Sequence, residues 1–252
     1  MIGPDHLSFS SGKKYGECAR SWAAHYLEGL RSRPGPALIK GKAVDKVATA
    51  NWGQKRKTGK DITIPLADEM AEAAFREMVD EVGGRSEVEW KTDNFTSAME
   101  STLRLTEAHM VAHAPLYTPM ATQTKVVRQI EGSERVFIGF IDAEITRDHL
   151  VDVKTGTRKM TDQDTDGQAT AYAYALNRPV KFEYLRVLDT GKSPVRAERI
   201  ETYRGLAAID WYAEFIANVD RGIDAGVFPT TPGFACNWCP IKDRCVARLT
   251  EA

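Results

Sequence analysis

The sequence of 252 residues lacks the features that mark several large protein classes. No stretch approaches the roughly 18 uncharged apolar residues that a membrane-spanning helix needs, and residues 1–6 show no charged-then-apolar leader. A glycine-rich phosphate loop, an H-E-x-x-H motif and a G-x-S-x-G motif are also absent, which disfavours a nucleotide-driven motor, a zinc peptidase and a serine hydrolase. We therefore expect a cytoplasmic protein without membrane partners.

The formal net charge at pH 7 is only −1, but the charges are unevenly distributed. Residues 1–60 contain 12 Lys and Arg against 4 Asp and Glu, whereas residues 61–120 contain 4 against 12. A basic segment favours contact with a polyanion, although a run of like charges is also typical of a solvated surface. The candidates for phosphate contact are Lys13, Lys14, Arg20, Lys40, Lys42 and Lys46.

Cysteine is scarce, and its four positions are unevenly spaced: Cys18, Cys236, Cys239 and Cys245. In a reducing compartment such a set predicts metal or cluster ligands rather than disulfides. Three of them fall in a short C-terminal segment that cannot form a core of its own, so something must hold them. Four thiolates suit a zinc site and a [4Fe–4S] cluster about equally, and buried cysteines without a ligand are the third interpretation.

Hydrophobic periodicity changes along the chain from three- and four-residue steps to alternation, which predicts an α/β protein. We expect one domain over residues 1–252, with a mixed central sheet, a helical insertion at about 61–119 and a tail at 226–252. The predicted helices cover residues 9–30 (with Cys18 on the helix), 37–56, 66–82, 95–112, 167–177 and 203–225. The predicted strands cover residues 122–130, 137–145, 151–156, 180–188 and 195–202.

The strands 137–145 and 151–156 are joined by a short polar segment and predict a β-hairpin. This hairpin places Asp142 across from Asp152. Because side chains alternate along a strand, Asp152 and Lys154 share one face while Val151 and Val153 point into the core. Two carboxylates and an ammonium group in one patch favour a divalent cation and an anionic ligand. The alternative is a solvated strand face with a surface ion pair.

Three ordered motifs resemble the RecB-like branch of the PD-(D/E)xK nuclease superfamily. They are Gly139-x-x-Asp142, Asp152-Val153-Lys154-Thr155-Gly156 and Gln168-x-x-x-Tyr172. The resemblance implies that Asp142, Asp152 and the main-chain carbonyl of Val153 bind Mg²⁺ or Mn²⁺. It also implies that Lys154 positions or activates the attacking water, and that Gln168 and Tyr172 contact DNA and orient the lysine.

Other candidate ligands are less specific. RecB-like nucleases usually carry a histidine in a G-x-x-x-H motif, whereas the similar segment here begins at Gly41 and has Asp45 in the place of the histidine. Asp45 is either a further metal ligand or a plain surface acid, and Glu131 is a weaker candidate. His109 and His113, four residues apart on a predicted helix, could also bind a metal, but packing at the surface is favoured.

The cysteine spacing, one upstream cysteine followed by C-x₂-C-x₅-C, is similar to that of iron–sulfur nucleases of the same branch. That group includes the CRISPR adaptation nuclease and AddB-type nucleases. The resemblance favours a [4Fe–4S] cluster over zinc, with the tail closing onto Cys18 as a structural staple.

Taken together, the resemblance implies a divalent-metal-dependent deoxyribonuclease. We expect an exonuclease on single-stranded DNA or DNA ends that leaves 5′-phosphate and 3′-hydroxyl products in recombination, repair or CRISPR adaptation. A helicase, a recombination protein or a CRISPR adaptation protein is a possible partner, and oligomers are possible. The alternative is a DNA-end or partner-binding module that keeps the fold but cleaves weakly or not at all.

Overall fold

A computed structural model describes residues 2–158, 160, 162–191 and 195–245, and for residues 162–166 the backbone alone. The end of the predicted tail, residues 246–252, lies outside the described residues. Within the described part of the chain, none of the helices is both long and apolar enough to cross a membrane.

Seven α-helices and six strands occur in the described ranges, and their bounds confirm most of the predicted elements. The helices are α1 Phe9–Glu17, α2 Ala19–Tyr26, α3 Pro36–Thr58, α4 Ile64–Glu81, α5 Phe95–Ala112, α6 Asp162–Leu176 and α7 Leu206–Asp224. The strands are β1 His6–Leu7, β2 Ala121–Gln129, β3 Val136–Thr146, β4 His149–Gly156, β5 Val180–Leu188 and β6 Arg196–Arg204. The short strand β1 was not predicted, and α6 begins five residues earlier than expected.

The strands form one mixed sheet in the order β1-β3-β4-β5-β6, with β2 paired to β3. β2 occupies one edge of β3 along nearly its whole length, so β1 and β4 must share the other edge. β1 pairs in parallel with Val136 and Phe137, and β4 pairs antiparallel with residues 143–146. Among the described residues, 138–142 of β3 therefore have no strand partner on this edge. We call this opening the β3 notch.

Helices cover both faces of the sheet. On one face, α6 and α7 bury Leu150 and Phe182 in a core with Trp22. On the other face, α3 and α5 bury Val151 and Val153. This alternation along β4 confirms the predicted orientation, and it leaves Asp152 on the α6 side with Leu150.

The prediction of one continuous helix over residues 9–30 is wrong. Cys18 separates α1 from α2 in an extended conformation, with φ −165° and ψ 104°. The backbone N–H of Arg20 donates to the Pro229 carbonyl at 3.0 Å, so the C-terminal tail provides a partner for the start of α2. The aromatic stripe continues across the break, because the rings of Tyr15 and Trp22 still pack 5.8 Å apart. Periodicity alone therefore did not reveal the break.

A buried arginine fixes the N-terminal segment that carries β1. Arg135 has no exposed side-chain surface and forms ion pairs with Asp220 at 2.6 Å and Asp224 at 2.9 Å. It also donates to the main-chain carbonyl of Pro4 at 2.9 Å and to that of Ile2. One guanidinium thus links the β2–β3 connection, α7 and the segment before β1.

Candidate active site

The β3 notch begins where β3 and β4 separate. The pairing of the two strands runs through Thr146, Glu144 and Ala143, and no further pair follows at Asp142 and Asp152. The N–H of Val153 donates to the Asp142 carboxylate rather than to a backbone carbonyl of β3, with an N–Oδ2 distance of 3.2 Å. Because the N–H and C=O of one strand residue point to the same edge, the Val153 carbonyl also faces the notch.

Asp152 is held by two neighbouring side chains. Its side chain is 2% exposed; Oδ1 accepts a hydrogen bond from Gln168 Nε2 at 2.7 Å, and Oδ2 lies 2.5 Å from Lys154 Nζ. The structure therefore brings the predicted Asp142, Asp152 and Lys154 to one place, and Gln168 reaches them from α6.

Asp45 approaches the same place from α3. One turn earlier, a Cβ at Gly41 would lie 3.2 Å from Thr155 Oγ1, so glycine permits close packing of α3 against the end of β4. Asp45 Oδ1 is buried, and no residue that the structure describes donates a hydrogen bond to it. A buried carboxylate oxygen without a donor is costly unless a cation or water satisfies it. This position suits a cation ligand better than a plain surface acid.

The three acids repel one another electrostatically. Burial, followed by the charges of Asp152 and Asp45, raises the pKa of Asp142 well above its usual value. Burial and the Asp152 charge raise the pKa of Asp45 to about 6. Burial acts to lower the pKa of Lys154, but the Asp152 and Asp142 carboxylates outweigh it and raise that pKa overall. The site therefore has an excess of negative charge, which a divalent cation would neutralise.

The donor set fits a hard cation. Carboxylate and carbonyl oxygens from Asp142, Asp152 and Val153 are ligands that Mg²⁺ and Mn²⁺ prefer, and Asp45 adds a further oxygen. Among the described residues, however, no group of three or more His, Cys, Asp or Glu side chains is arranged to hold a metal ion. The side chains therefore do not form a complete coordination shell by themselves, and Mg²⁺ commonly keeps several water ligands.

Tyr172 makes a structural contact across the sheet. Its hydroxyl donates to the Phe140 carbonyl on β3, and the residue is only 7% exposed. A Cβ at Gly139 would lie 2.7 Å from Tyr172 Cε1, which explains the glycine in the first predicted motif. The polar groups of Gln168 and Tyr172 both form hydrogen bonds within the protein. The predicted contacts of these residues with DNA remain predictions.

A pocket lies next to Lys154, and every charged residue that lines it within the described part of the chain is basic. Its charged lining consists of Lys13, Lys154, Arg158 and Arg186. Sequence reasoning named Lys13 and assigned the charges of the loop at 157–166, which contains Arg158, to either solvent or phosphate contact, but it missed Arg186. Arg186 lies in a largely apolar stretch of β5, and this pattern predicts a buried strand. Only the tertiary fold brings the arginine to this end of β4. We call this opening the cationic pocket.

Several of the predicted phosphate contacts are instead paired with acids. Lys40 lies 3.3 Å from Asp93, Lys46 lies 2.5 Å from Glu77, and Arg20 pairs with Glu28. Much of the basic character of residues 1–60 is thus balanced by the acidic segment that follows. Lys14 and Lys42 are not among the described residues that line the cationic pocket.

Glu131 does not join the site. It lies exposed in the β2–β3 turn, before the start of β3 at Val136. Six residues of strand separate Val136 from Asp142, which corresponds to about 20 Å. The suggestion that Glu131 contributes a ligand is not supported.

His109 and His113 are buried rather than at the surface. They are 1% and 2% exposed, their ring centroids are 5.7 Å apart, and His113 Nε2 lies 2.9 Å from the Arg186 carbonyl. Burial, assisted by His113, lowers the pKa of His109 to about 3. Surface packing is therefore the wrong interpretation, and both rings belong to the α5 side of the core.

The four cysteines line one small cavity between the start of α2 and the C-terminal tail: Cys18, Cys236, Cys239 and Cys245. Cys18 Sγ accepts the Thr231 N–H at 3.5 Å, and Cys236 Sγ accepts the Gly233 N–H at 3.4 Å. The predicted proximity of the tail to Cys18 is present, and N–H groups directed at sulfur suit thiolates. Among the described residues, these four sulfurs do not form a metal-binding group either.

Comparisons with known proteins place this geometry in context. A family model described as the PD-(D/E)XK nuclease superfamily matches residues 6–246. The chain is similar in structure to a proposed exonuclease from Eubacterium rectale, with a TM-score of 0.63, 12% identity, and coverage of 98% of this chain and 90% of that one. The structure of SSO0001 gives a TM-score of 0.41 and 14% identity, covering 81% of this chain and 96% of that one. No curated protein matches the chain.

Proposed function

Because this chain belongs to the PD-(D/E)XK nuclease superfamily, we propose that it hydrolyses phosphodiester bonds in DNA with the help of a divalent metal ion. The observation that carries the proposal is the β3 notch, where Asp142, Asp152 and Lys154 converge beside Asp45, whose buried Oδ1 accepts no hydrogen bond from any residue that the structure describes. Exonucleolytic action on single strands or DNA ends, with 5′-phosphate and 3′-hydroxyl products, is part of the proposal.

The metal ion would be Mg²⁺ or Mn²⁺, held by Asp142, Asp152 and the Val153 carbonyl, with Asp45 assisting. When bound, such an ion supplies a nucleophilic water near neutral pH and offsets charge on the phosphate. Two hydrogen bonds support this assignment, because the Val153 N–H orients the Asp142 carboxylate and Gln168 orients that of Asp152.

Lys154 would position the attacking water and stabilise the negative charge that develops on the phosphate. Its ammonium group is fixed by Asp152, and its side chain is 36% exposed, so it faces both the acids and the opening. A preorganised positive charge in a partly dry site stabilises a developing anion more strongly than water does. The cationic pocket lies directly beside Lys154 and would hold a neighbouring phosphate of the DNA.

We also propose that the four cysteines hold a [4Fe–4S] cluster, with a zinc site as the alternative. The support is that sulfurs from distant parts of the sequence line one cavity and that main-chain N–H groups point at two of them. The cluster would be structural, and it would place the chain in the RecB-like iron–sulfur branch. Recombination, repair or CRISPR adaptation, with a helicase or another protein of these processes as partner, is the corresponding biological setting.

The deciding experiment is hydrolysis of labelled single-stranded DNA with Mg²⁺ or Mn²⁺. The parent and Lys57→Ala, an exposed lysine near the end of α3, should cleave, whereas Lys154→Ala should not. Chelation by EDTA should stop the reaction. Equal and metal-independent hydrolysis by the parent and Lys154→Ala would rule out the proposed nuclease activity. Tight binding of DNA ends by the parent without any cleavage would favour the binding module instead.

A further inference from the structure

A second groove leads away from the candidate active site. It runs between the segment around Trp90 and the cysteine-rich tail at Trp238, and the first turn of α3 forms its base. Thr157 lines this groove and also lines the cationic pocket beside Lys154. The two openings therefore meet at one residue. We call the second opening the tryptophan groove.

The lining of the tryptophan groove combines exposed aromatic rings with basic side chains. Trp238 is 52% exposed, and Trp90 is partly exposed with its indole N–H donated to the Arg85 carbonyl at 2.8 Å. Lys91 and Lys242 are exposed, and the structure shows no ion pair for either within the described ranges. The charged lining is Arg33, Lys40, Lys91 and Lys242 against Glu89 and Asp93.

We propose that the tryptophan groove binds the single-stranded part of a DNA strand that extends from the cleavage site. This inference rests on the proposed nuclease function and adds the surface on which the unpaired strand lies outside the active site. Unpaired bases offer flat faces that stack on indole rings, while the lysines meet the phosphates between them. In a duplex the faces of the bases are covered by their neighbours, so this lining favours a single strand.

Trp238 and Lys91 are the residues to test. Trp238 lies between two cysteines of the tail, so Trp238→Ala alone could act through the cysteine cavity. Lys91 lies in a turn outside the cysteine segment, and its φ of 53° is one that asparagine tolerates, so Lys91→Asn removes the charge without backbone strain. The two variants together keep the proposal falsifiable if one of them fails to fold.

Two matched controls are available. Trp211 is similarly exposed at 58% but lies on α7, stacked on Phe215 and outside the groove lining. Lys57 lies on α3, the helix whose first turn forms the base of the groove. Twenty residues of helix separate Lys57 from Ala37, about 30 Å along the axis. Trp211→Ala and Lys57→Asn should therefore bind like the parent.

Binding is measured by fluorescence anisotropy with labelled oligothymidylates of increasing length, in EDTA so that no hydrolysis occurs. Affinity of the parent should rise with length as the groove fills. Trp238→Ala should weaken binding of the longer oligonucleotides roughly tenfold. Lys91→Asn should weaken it several-fold and reduce the slope of log Kd against log salt concentration by about 0.7.

Parent-like binding by both groove variants would overturn the proposal, and so would equally tight binding of a duplex of the same length. If the groove serves a protein partner instead, the parent should bind the long oligonucleotides no better than the shortest. The binding assay is independent of cleavage. Cleavage by the parent with unaffected binding in Trp238→Ala and Lys91→Asn rejects only the groove, whereas weakened binding with no cleavage by the parent rejects only the nuclease.

Discussion

Gln168 on α6 donates a 2.7 Å hydrogen bond to the buried carboxylate of Asp152 on β4. The helix on one face of the sheet thus fixes the orientation of an acid in the β3 notch. Removal of a residue that orients a metal-binding carboxylate typically lowers metal affinity or activity by about 10- to 100-fold.

We therefore expect Gln168→Leu to lower the rate of DNA hydrolysis by about 10- to 100-fold and to raise the Mg²⁺ concentration that gives half-maximal rate. The measurement is a rate titration with Mg²⁺, with Gln54→Leu near the end of α3 as control. A raised KM for DNA with an unchanged Mg²⁺ dependence would instead assign Gln168 to direct DNA contact.

Gly139→Ala should destabilise the fold, because the added Cβ would lie 2.7 Å from Tyr172 Cε1. Overpacking of this kind costs about 1–3 kcal/mol. Gly53→Ala is the matched control. Apart from adjacent residues and the backbone of α3 itself, no described atom lies within 4 Å of its added Cβ, and alanine inside α3 should stabilise by up to about 1 kcal/mol. Urea denaturation measures both. Equal free energies of unfolding for the two variants would contradict the close contact.

Arg135→Met should lower the free energy of unfolding by about 3–5 kcal/mol, since it leaves Asp220 buried without its cation. Addition of Asp220→Asn should recover part of this loss, because the remaining group is then neutral. Denaturation of the single and double variants provides the test, with Arg147→Met in the exposed β3–β4 turn as control. A double variant less stable than the single one would show that the buried charge is not the cause.

Acid should destabilise the protein through His109. Its folded pKa of about 3 is depressed below the ordinary value of 6.5, so the unfolded chain binds a proton first as pH falls. Stability from the neutral ring is therefore fully present above about pH 6.5 and declines below it, by at most about 1.4 kcal/mol per pH unit. His109→Leu should flatten this dependence in urea titrations between pH 4 and pH 7. An unchanged pH dependence in this variant would contradict the assignment.

Cys18→Ser and Cys236→Ser should lower the metal content of the protein and loosen the tail to the same extent, since both sulfurs line one cavity. If a [4Fe–4S] cluster is present, each variant loses the broad absorbance near 400 nm, and proteolysis of the tail becomes faster. Iron, sulfide and zinc analysis of the purified parent separates the cluster from the zinc alternative. Two variants with unchanged metal content would exclude both.

The arrangement of the acids could be predicted because it follows from local rules. Alternation along two strands and a short polar turn suffice to predict that Asp142 lies near Asp152. In the structure the β3–β4 pairing ends at Ala143 and Val151, one residue before the two acids, and both carboxylates lie at the β3 notch. The helical pattern of residues 61–119 was equally readable, since α4 and α5 have the expected bounds.

The features that were missed depend on contacts between distant parts of the chain. The break at Cys18 accompanies a hydrogen bond from α2 to the tail, more than 200 residues away. Burial of His109 depends on the packing of α5 against the sheet, and the place of Arg186 in the cationic pocket depends on the parallel pairing of β4 with β5. None of these relationships leaves a periodic signal in the sequence.

The division of one edge of β3 between β1 and β4 has a consequence for sequence drift. The spacing of the two acids is set by main-chain ladders on either side of an unpaired stretch, and those ladders do not depend on which apolar side chains fill the layers above and below. Extensive exchange of core residues is therefore compatible with an unchanged distance between the carboxylates, provided that the total volume is kept. Insertion of a single residue between Val136 and Asp142 would be far more damaging than many substitutions, because it would turn the acid to the opposite face.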